Sequence, residues 1–338
     1  MGIRSGAFLL AAVLPTAGLF CAAARADKKG MASPETSEAV YRETEVTYRN
    51  TVTARSFNKS ADLTYNPYYA MELDAALVFW VHPKVSTTLD FTLSREITNS
   101  DETTRKGEVQ LADIFWQAAV RNLNPIPAVG IEAVPSVRLY VPSSKVSKAR
   151  TMMLGLRAQL QLIKRFDVLR GLAVFYSVAV RKDFHELTTA ETELPLIYTP
   201  GSTRSADSFF NTGRRNVSVT LFNRLGLALD FTKIIGVEIL AEIRHGFLYD
   251  IEYEDPRISH EAQHSENVRY QMMYQGEIYG RIGKAWTLAL GFLTKNDQLA
   301  GDATYEAPFF NRYTAVYLDV RLNAAGLASQ LSSKRGKK

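Results

Sequence analysis

From about residue 42 onward the chain repeats one pattern, with apolar side chains at every second position through segments of about ten to fifteen residues. A helix would place its apolar positions three or four apart, so period two means strands. The segment 216–231 is the clearest. Val217, Val219, Leu221, Leu225, Leu227, Leu229 and Phe231 share one face, broken only by Asn223. Ser218, Thr220, Phe222, Arg224, Gly226, Ala228 and Asp230 share the other. A strand in a soluble domain has about five or six residues. Runs this long, with one face apolar and the other polar, suit a tilted strand that crosses a bilayer and closes into a barrel.

About twelve such segments can be marked, at 42–56, 68–82, 85–96, 108–120, 130–141, 151–164, 171–183, 216–231, 236–249, 268–282, 285–296 and 311–323. The apolar phase slips between Leu111 and Ile114, which predicts a bulge near Asp113. Tight turns at His82-Pro83-Lys84, Thr232-Lys233 and Gly283-Lys284, and somewhat longer segments at Arg121–Val129 and Arg165–Arg170, alternate with long polar connections at 57–67, 97–107, 184–215, 250–267 and 297–310 and one of middling length at 142–150. That rhythm fits short periplasmic turns, long outer loops and both termini in the periplasm. Aromatics near strand ends, such as Phe79, Trp80, Phe231, Phe247, Tyr249 and Trp286, fit headgroup girdles. The expected fold is an all-β, transmembrane, antiparallel up-and-down barrel.

Residues 1–26 read as an export signal. Arg4 precedes an apolar run from Ala7 to Ala24, and Ala24-Arg25-Ala26 offers small-x-small cleavage before Asp27. Residues 27–40 then form a periplasmic segment, 41–323 the barrel, and 324–338 a basic disordered tail ending Lys334-Arg335-Gly336-Lys337-Lys338. The one cysteine, Cys21, lies inside the signal, which leaves no disulfide framework. A net charge of +5, partly terminal, argues against nucleic acid as a partner. No apolar run after the signal is long enough for a membrane helix.

The Ala24-Arg25-Ala26 signal, the alternating strands and the short-long loop rhythm together resemble Gram-negative outer-membrane β-barrel proteins, over almost all of the chain beyond the signal. Twelve-strand barrels of that class include narrow solute channels, an outer-membrane phospholipase and autotransporter translocation units. The resemblance implies residence in the cell outer membrane, with outer-membrane lipid and the barrel assembly machinery as partners. One departure stands out. Such barrels end on an aromatic residue, whereas the last alternating run here ends Leu322-Asn323.

The inward face carries Arg49, Arg138, Arg157, Arg181, Arg224, Arg244, Arg269, Arg281 and Arg321. With them are Glu72, Asp74, Asp90, Glu132, Asp230, Glu238, Glu242, Glu277 and Asp319. Arginine's planar fork suits buried pairing with carboxylates. Arg224 is expected near Glu242, and Asp230 near Glu238. Arg157, Arg224, Asp230, Glu238, Glu242, Arg244, Arg269, Glu277, Arg281, Asp319 and Arg321 are the candidate lumen-lining residues.

Two readings of that lumen stand side by side. In the first, the charges line a narrow, porin-like channel for a small polar solute. In the second, they fill and brace a non-conducting barrel that presents its loops to partners; loop 184–215, with Leu194-Pro195-Leu196-Ile197-Tyr198 and Phe209-Phe210, is the longest. A hydrolase is a remote third: His185 and His245 lie in no serine-histidine signature, and no G-x-S-x-G occurs. His260-Glu261-Ala262-Gln263-His264 matches H-E-x-x-H, but it falls in a polar loop after Pro256, where zinc is not expected. No catalytic residue and no cofactor are assigned.

Overall fold

The computed structural model describes residues 40–54, 68–98, 107–193, 209–250, 267–297, 306–311 and 313–335. Residues 1–26, Cys21 and the His260/His264 pair lie outside them. The strands are β1 (Glu45–Thr53), β2 (Tyr69–His82), β3 (Val85–Glu96), β4 (Val109–Leu111), β5 (Ile114–Val120), β6 (Ile131–Val141), β7 (Met152–Phe166) and β8 (Leu172–His185). They continue with β9 (Thr189–Glu193), β10 (Phe209–Arg215), β11 (Val217–Asp230), β12 (Ile235–Leu248), β13 (Val268–Ile282), β14 (Trp286–Asp297) and β15 (Thr314–Asn323). Helix α1 is Lys145–Ala149 and α2 is Ala324–Arg335. Among the described residues, no helix is long and apolar enough to cross a membrane.

The sheet closes because β1 pairs with both β2 and β15. β4 and β5 both pair with β3 and are successive lengths of one stave, so the antiparallel barrel has twelve. Staves of fourteen or fifteen residues rise about 3.3 Å per residue, roughly 46 Å of strand, and at a tilt of about 40° they cover about 35 Å along the barrel axis. That is enough to cross a bilayer core. β1 begins and β15 ends at the same mouth, the one where connections 83–84, 121–130, 167–171, 231–234 and 283–285 join the strands. The strand ends joined by the other connections, most of them longer, lie at the opposite mouth.

The side chains are arranged inside out. Leu225 is 55 % exposed and Ile239 57 %, and Leu73, Leu89, Trp116, Val137, Leu156, Val180, Ile278, Leu290 and Leu318 are exposed on their own strands. The result is an apolar belt around the outside, while Arg49, Glu72, Asp90, Arg138, Arg157, Arg224, Glu242 and Asp319 are buried within. A water-facing protein has no reason to expose so large a continuous apolar surface; a lipid-facing one requires it. Asn223, the polar exception on the outer face of β11, is satisfied by the hydroxyl of outward-facing Tyr176, which donates to its Oδ1 at 2.9 Å.

Three expectations change. The slip at Asp113 is a break between β4 and β5 rather than a single bulge. There Ser143 Oγ donates to the Ala112 carbonyl at 2.8 Å and accepts from Ile114 N at 2.9 Å. The Asp113 carboxylate takes Ser144 N at 3.0 Å and Ser147 Oγ at 2.5 Å, tying the break to the start of α1. The connection 184–215 is not all loop, because β9 and β10 form a hairpin inside it. The segment 324–338, expected as a disordered tail, is helical over Ala324–Arg335. Asn323 Oδ1 accepts from Gly326 N at 2.8 Å, an N-cap that starts the helix as the strand ends.

A charge placed on the outer face tests this arrangement. Leu225→Arg, near the middle of β11, is expected to lower stability in lipid vesicles by about 2–4 kcal/mol in urea titrations. A change below about 0.5 kcal/mol would place Leu225 off the lipid face.

Candidate functional site

Many of the interior charges fall into four groups, apart from the buried Glu72, Asp74 and Asp90 on β2 and β3. In the first, β11 and β12 bring Arg224 opposite Glu242 in direct register. Arg224 Nε donates to Glu242 Oε2 at 2.6 Å, and Arg244 Nε reaches the other carboxylate oxygen. Arg224 is 2 % exposed and Glu242 1 %. A carboxylate held between two guanidiniums this far from water is stabilising only as a complete set, because each charge alone would carry an unrecovered desolvation cost.

The second group spans β1, β13 and β15. Arg49 grips Asp319 with both ends of its fork, at 2.7 and 2.9 Å. Arg321 donates to Asp319 at 2.7 Å and to Glu277 at 2.8 and 2.5 Å. Tyr317 adds its hydroxyl to Glu277 at 3.0 Å and receives Gln275 at 2.9 Å. Arg321 reaches Glu277 past the intervening strand β14, so this network crosses the lumen wall instead of running along one hairpin.

The third group sits near the short-turn mouth, where Asp230 accepts from Arg281 at 2.9 Å and from Tyr279 at 2.8 Å. Asp230 pairs in register with Gly236 and Glu238 with Ala228, which sets the two carboxylates diagonally on one face as expected, and a basic side chain two strands away takes Asp230. The fourth group is Arg138, Arg157 and Arg181, with Tyr140, on β6 to β8. Arg269 donates to the Arg215 carbonyl at 3.0 Å toward the long-connection mouth. Glu238 is buried on β12.

Apolar side chains complete the filling. Ile163, Phe175, Leu240 and Met273 form one buried cluster, with Val134 and Leu293 packed against it. These residues come from β6, β7, β8, β12, β13 and β14, and each has the inward parity of its strand. Two glycines make room for the inward rings. Gly226 lies opposite Phe175 and Gly291 opposite Tyr317, and a Cβ at either would overlap the ring. Sequence patterning missed this cluster because it assigns apolar residues to the outside. Phe175, Leu240 and Met273 standing at polar-face positions were the available signal.

The two histidines considered for hydrolysis make ring contacts instead. His185 stands edge-on to Tyr249 at 5.6 Å and His245 to Tyr270 at 5.2 Å. Among the described residues, Nδ1 of each is without a hydrogen bond, and no group of three or more metal-binding side chains occurs.

No protein-family model matches the chain, and no curated protein matches it either. Solved structures with a similar form include the β-domain of the Bordetella autotransporter BrkA, at 10 % identity and a TM-score of 0.36, covering 83 % of this chain and 99 % of that one. LpxR from Salmonella typhimurium follows at 9 % and 0.35, with 82 % and 99 % covered. A bacterial polysaccharide outer-membrane secretin stands at 6 % and 0.34, with 84 % and 99 % covered. The chain resembles outer-membrane β-barrels in architecture.

The Arg224–Glu242–Arg244 group gives a direct test of how the interior is held. Glu242→Gln keeps the shape and removes the charge between two buried guanidiniums. Stability is expected to fall by about 3–5 kcal/mol in urea unfolding of the detergent-solubilised barrel. A loss under about 1 kcal/mol would mean that water reaches the pair.

Proposed function

We propose that this chain is an outer-membrane barrel that does not conduct, and that it works as a structural or surface-interaction protein displaying its long connections on one side. The observation that carries this reading is the filled interior. Side chains from six strands meet in the Ile163–Phe175–Leu240–Met273 cluster, and several of the charges are spent on one another: Arg224 on Glu242, Arg321 on Glu277 and Asp319, and Arg281 on Asp230. A channel for a small polar solute needs a continuous aqueous path with side chains that meet water along it. Arg224, Glu242, Asp319 and Arg321 are sealed from water, which weighs against the porin-like reading.

On this reading the short turns and both termini face the periplasm, and the long connections, with the β9–β10 hairpin, face outward. Outer-membrane lipid meets the apolar belt. The barrel assembly machinery inserts the chain, although β15 closes on Asn323 and runs into α2 without a terminal aromatic.

Planar-bilayer recording on the purified, folded barrel decides between the readings. The expected trace is silent at high protein load. Discrete, reproducible conductance steps would overturn the closed-barrel reading in favour of a channel.

A further inference from the structure

β6, β7 and β8 bring three arginines abreast inside the barrel. Arg138 lies directly opposite Arg157, and Arg157 directly opposite Arg181. Like charges in direct cross-strand register repel, and the repulsion grows where water is excluded. Arg138 and Arg157 are each only 3 % exposed.

Elsewhere in the interior such charges are met by carboxylates at bonding distance, Glu242 for Arg224 and Arg244, Asp319 and Glu277 for Arg49 and Arg321. In this row the bonded carboxylate is Asp183, which takes Arg181 Nε at 2.6 Å. No carboxylate bonds Arg138; its acceptors are Gln117 Oε1 at 2.9 and 2.6 Å and the Tyr140 side-chain oxygen at 3.0 Å. Arg157 shares that hydroxyl, and among the described residues its Nε has no hydrogen-bond partner. Asp90 on β3 acts on Arg138 through space, yet among the described residues neither of its oxygens makes a hydrogen bond. It does not close on the row.

The flat faces of the three guanidiniums are occupied. Arg138 stacks on Phe115 at 3.9 Å, Arg157 on Phe222 at 4.4 Å and Arg181 on Tyr140 at 4.0 Å. Stacking orients a guanidinium and leaves its charge unspent, and along the N–H edges Arg138 meets only the uncharged Gln117 amide and a hydroxyl while Arg157 Nε meets nothing among the described residues. Three oriented forks with one bonded carboxylate among them leave an excess of buried positive charge, which is costly unless something neutralises it.

We infer that the Arg138–Arg157–Arg181 row is a binding site for a small oxyanion of the phosphate or sulfate type. Tetrahedral oxyanions accept several N–H bonds at once and match the arginine fork. The row lies in the half of the barrel nearer the long connections, and entry is from that side, where Arg181 and Asp183 keep 14 % and 12 % of their side-chain surface exposed. The inference does not depend on the lumen being closed, since a bound anion and a sealed barrel are separate properties.

Equilibrium dialysis of the full, folded barrel in non-ionic detergent against radiolabelled inorganic phosphate tests it. About one phosphate per barrel is expected, displaced by sulfate. Arg157→Gln and Arg138→Gln are each expected to weaken binding by roughly tenfold or more, whereas Lys84→Gln, in the exposed β2–β3 turn at the opposite mouth, leaves it unchanged. Heat-modifiable gel mobility identifies which variants have folded. Should an arginine variant fail to fold, the wild-type measurement still decides: no saturable phosphate binding by the wild-type barrel overturns the inference. So does binding that survives both substitutions, which would place the anion on the surface.

Discussion

A sheet in hydrocarbon cannot leave an edge open, because no water is present to satisfy its backbone N–H and C=O groups. The pairing of β1 with β15, running from Glu45 opposite Asn323 to Thr53 opposite Ala315, removes that edge here. Once the sheet is closed, period two assigns every residue to lipid or to the enclosed interior. The exposed belt of Leu225, Ile239, Ile278 and Leu290 and the buried Arg224, Glu242 and Asp319 are two consequences of that one closure.

The interior then faces a problem that soluble cores avoid. It must hold many charges where water is scarce, and it holds several of them in completed sets. Glu242 lies between two arginines, and Asp319 is shared between Arg49 and Arg321, which also holds Glu277. Rings laid over Gly226 and Gly291 bring aromatic surface against the opposite backbone, so the space between the polar groups is filled by carbon. The row on β6 to β8 departs from this rule, with positive charge in excess of the carboxylates bonded to it. Filling by ion pairs and rings favours a rigid cylinder over an open conduit.

The strands were legible in the sequence wherever the two faces meet different surroundings. β11, β12 and β13 carry Leu225, Ile239 and Ile278 outward against Arg224, Glu242 and Glu277 inward, and their registers follow. The Arg224–Glu242 pair was legible too, because a single hairpin sets it. Contacts that skip a strand were not: Arg281 on Asp230 and Arg321 on Glu277 each depend on two strand registers at once. The apolar cluster was hidden for a related reason, since Phe175 and Leu240 follow the inward parity but have the chemistry expected outside. Helix α2 lacked the apolar stripe that marks a packed helix, so its cap at Asn323 could be recognised only after the end of β15 was placed.

The central claim is that alternate residues of each stave face lipid and an enclosed, water-poor interior. Spin labels placed singly along 219–229 of β11, in a background with Cys21 replaced, measure it through collision rates with oxygen and with a water-soluble nickel chelate. The account predicts an oscillation of period two, with oxygen maxima at Leu221, Leu225, Leu227 and Leu229, and low access to both reagents at Phe222 and Arg224. A flat profile, or strong nickel access at Leu225, would contradict it.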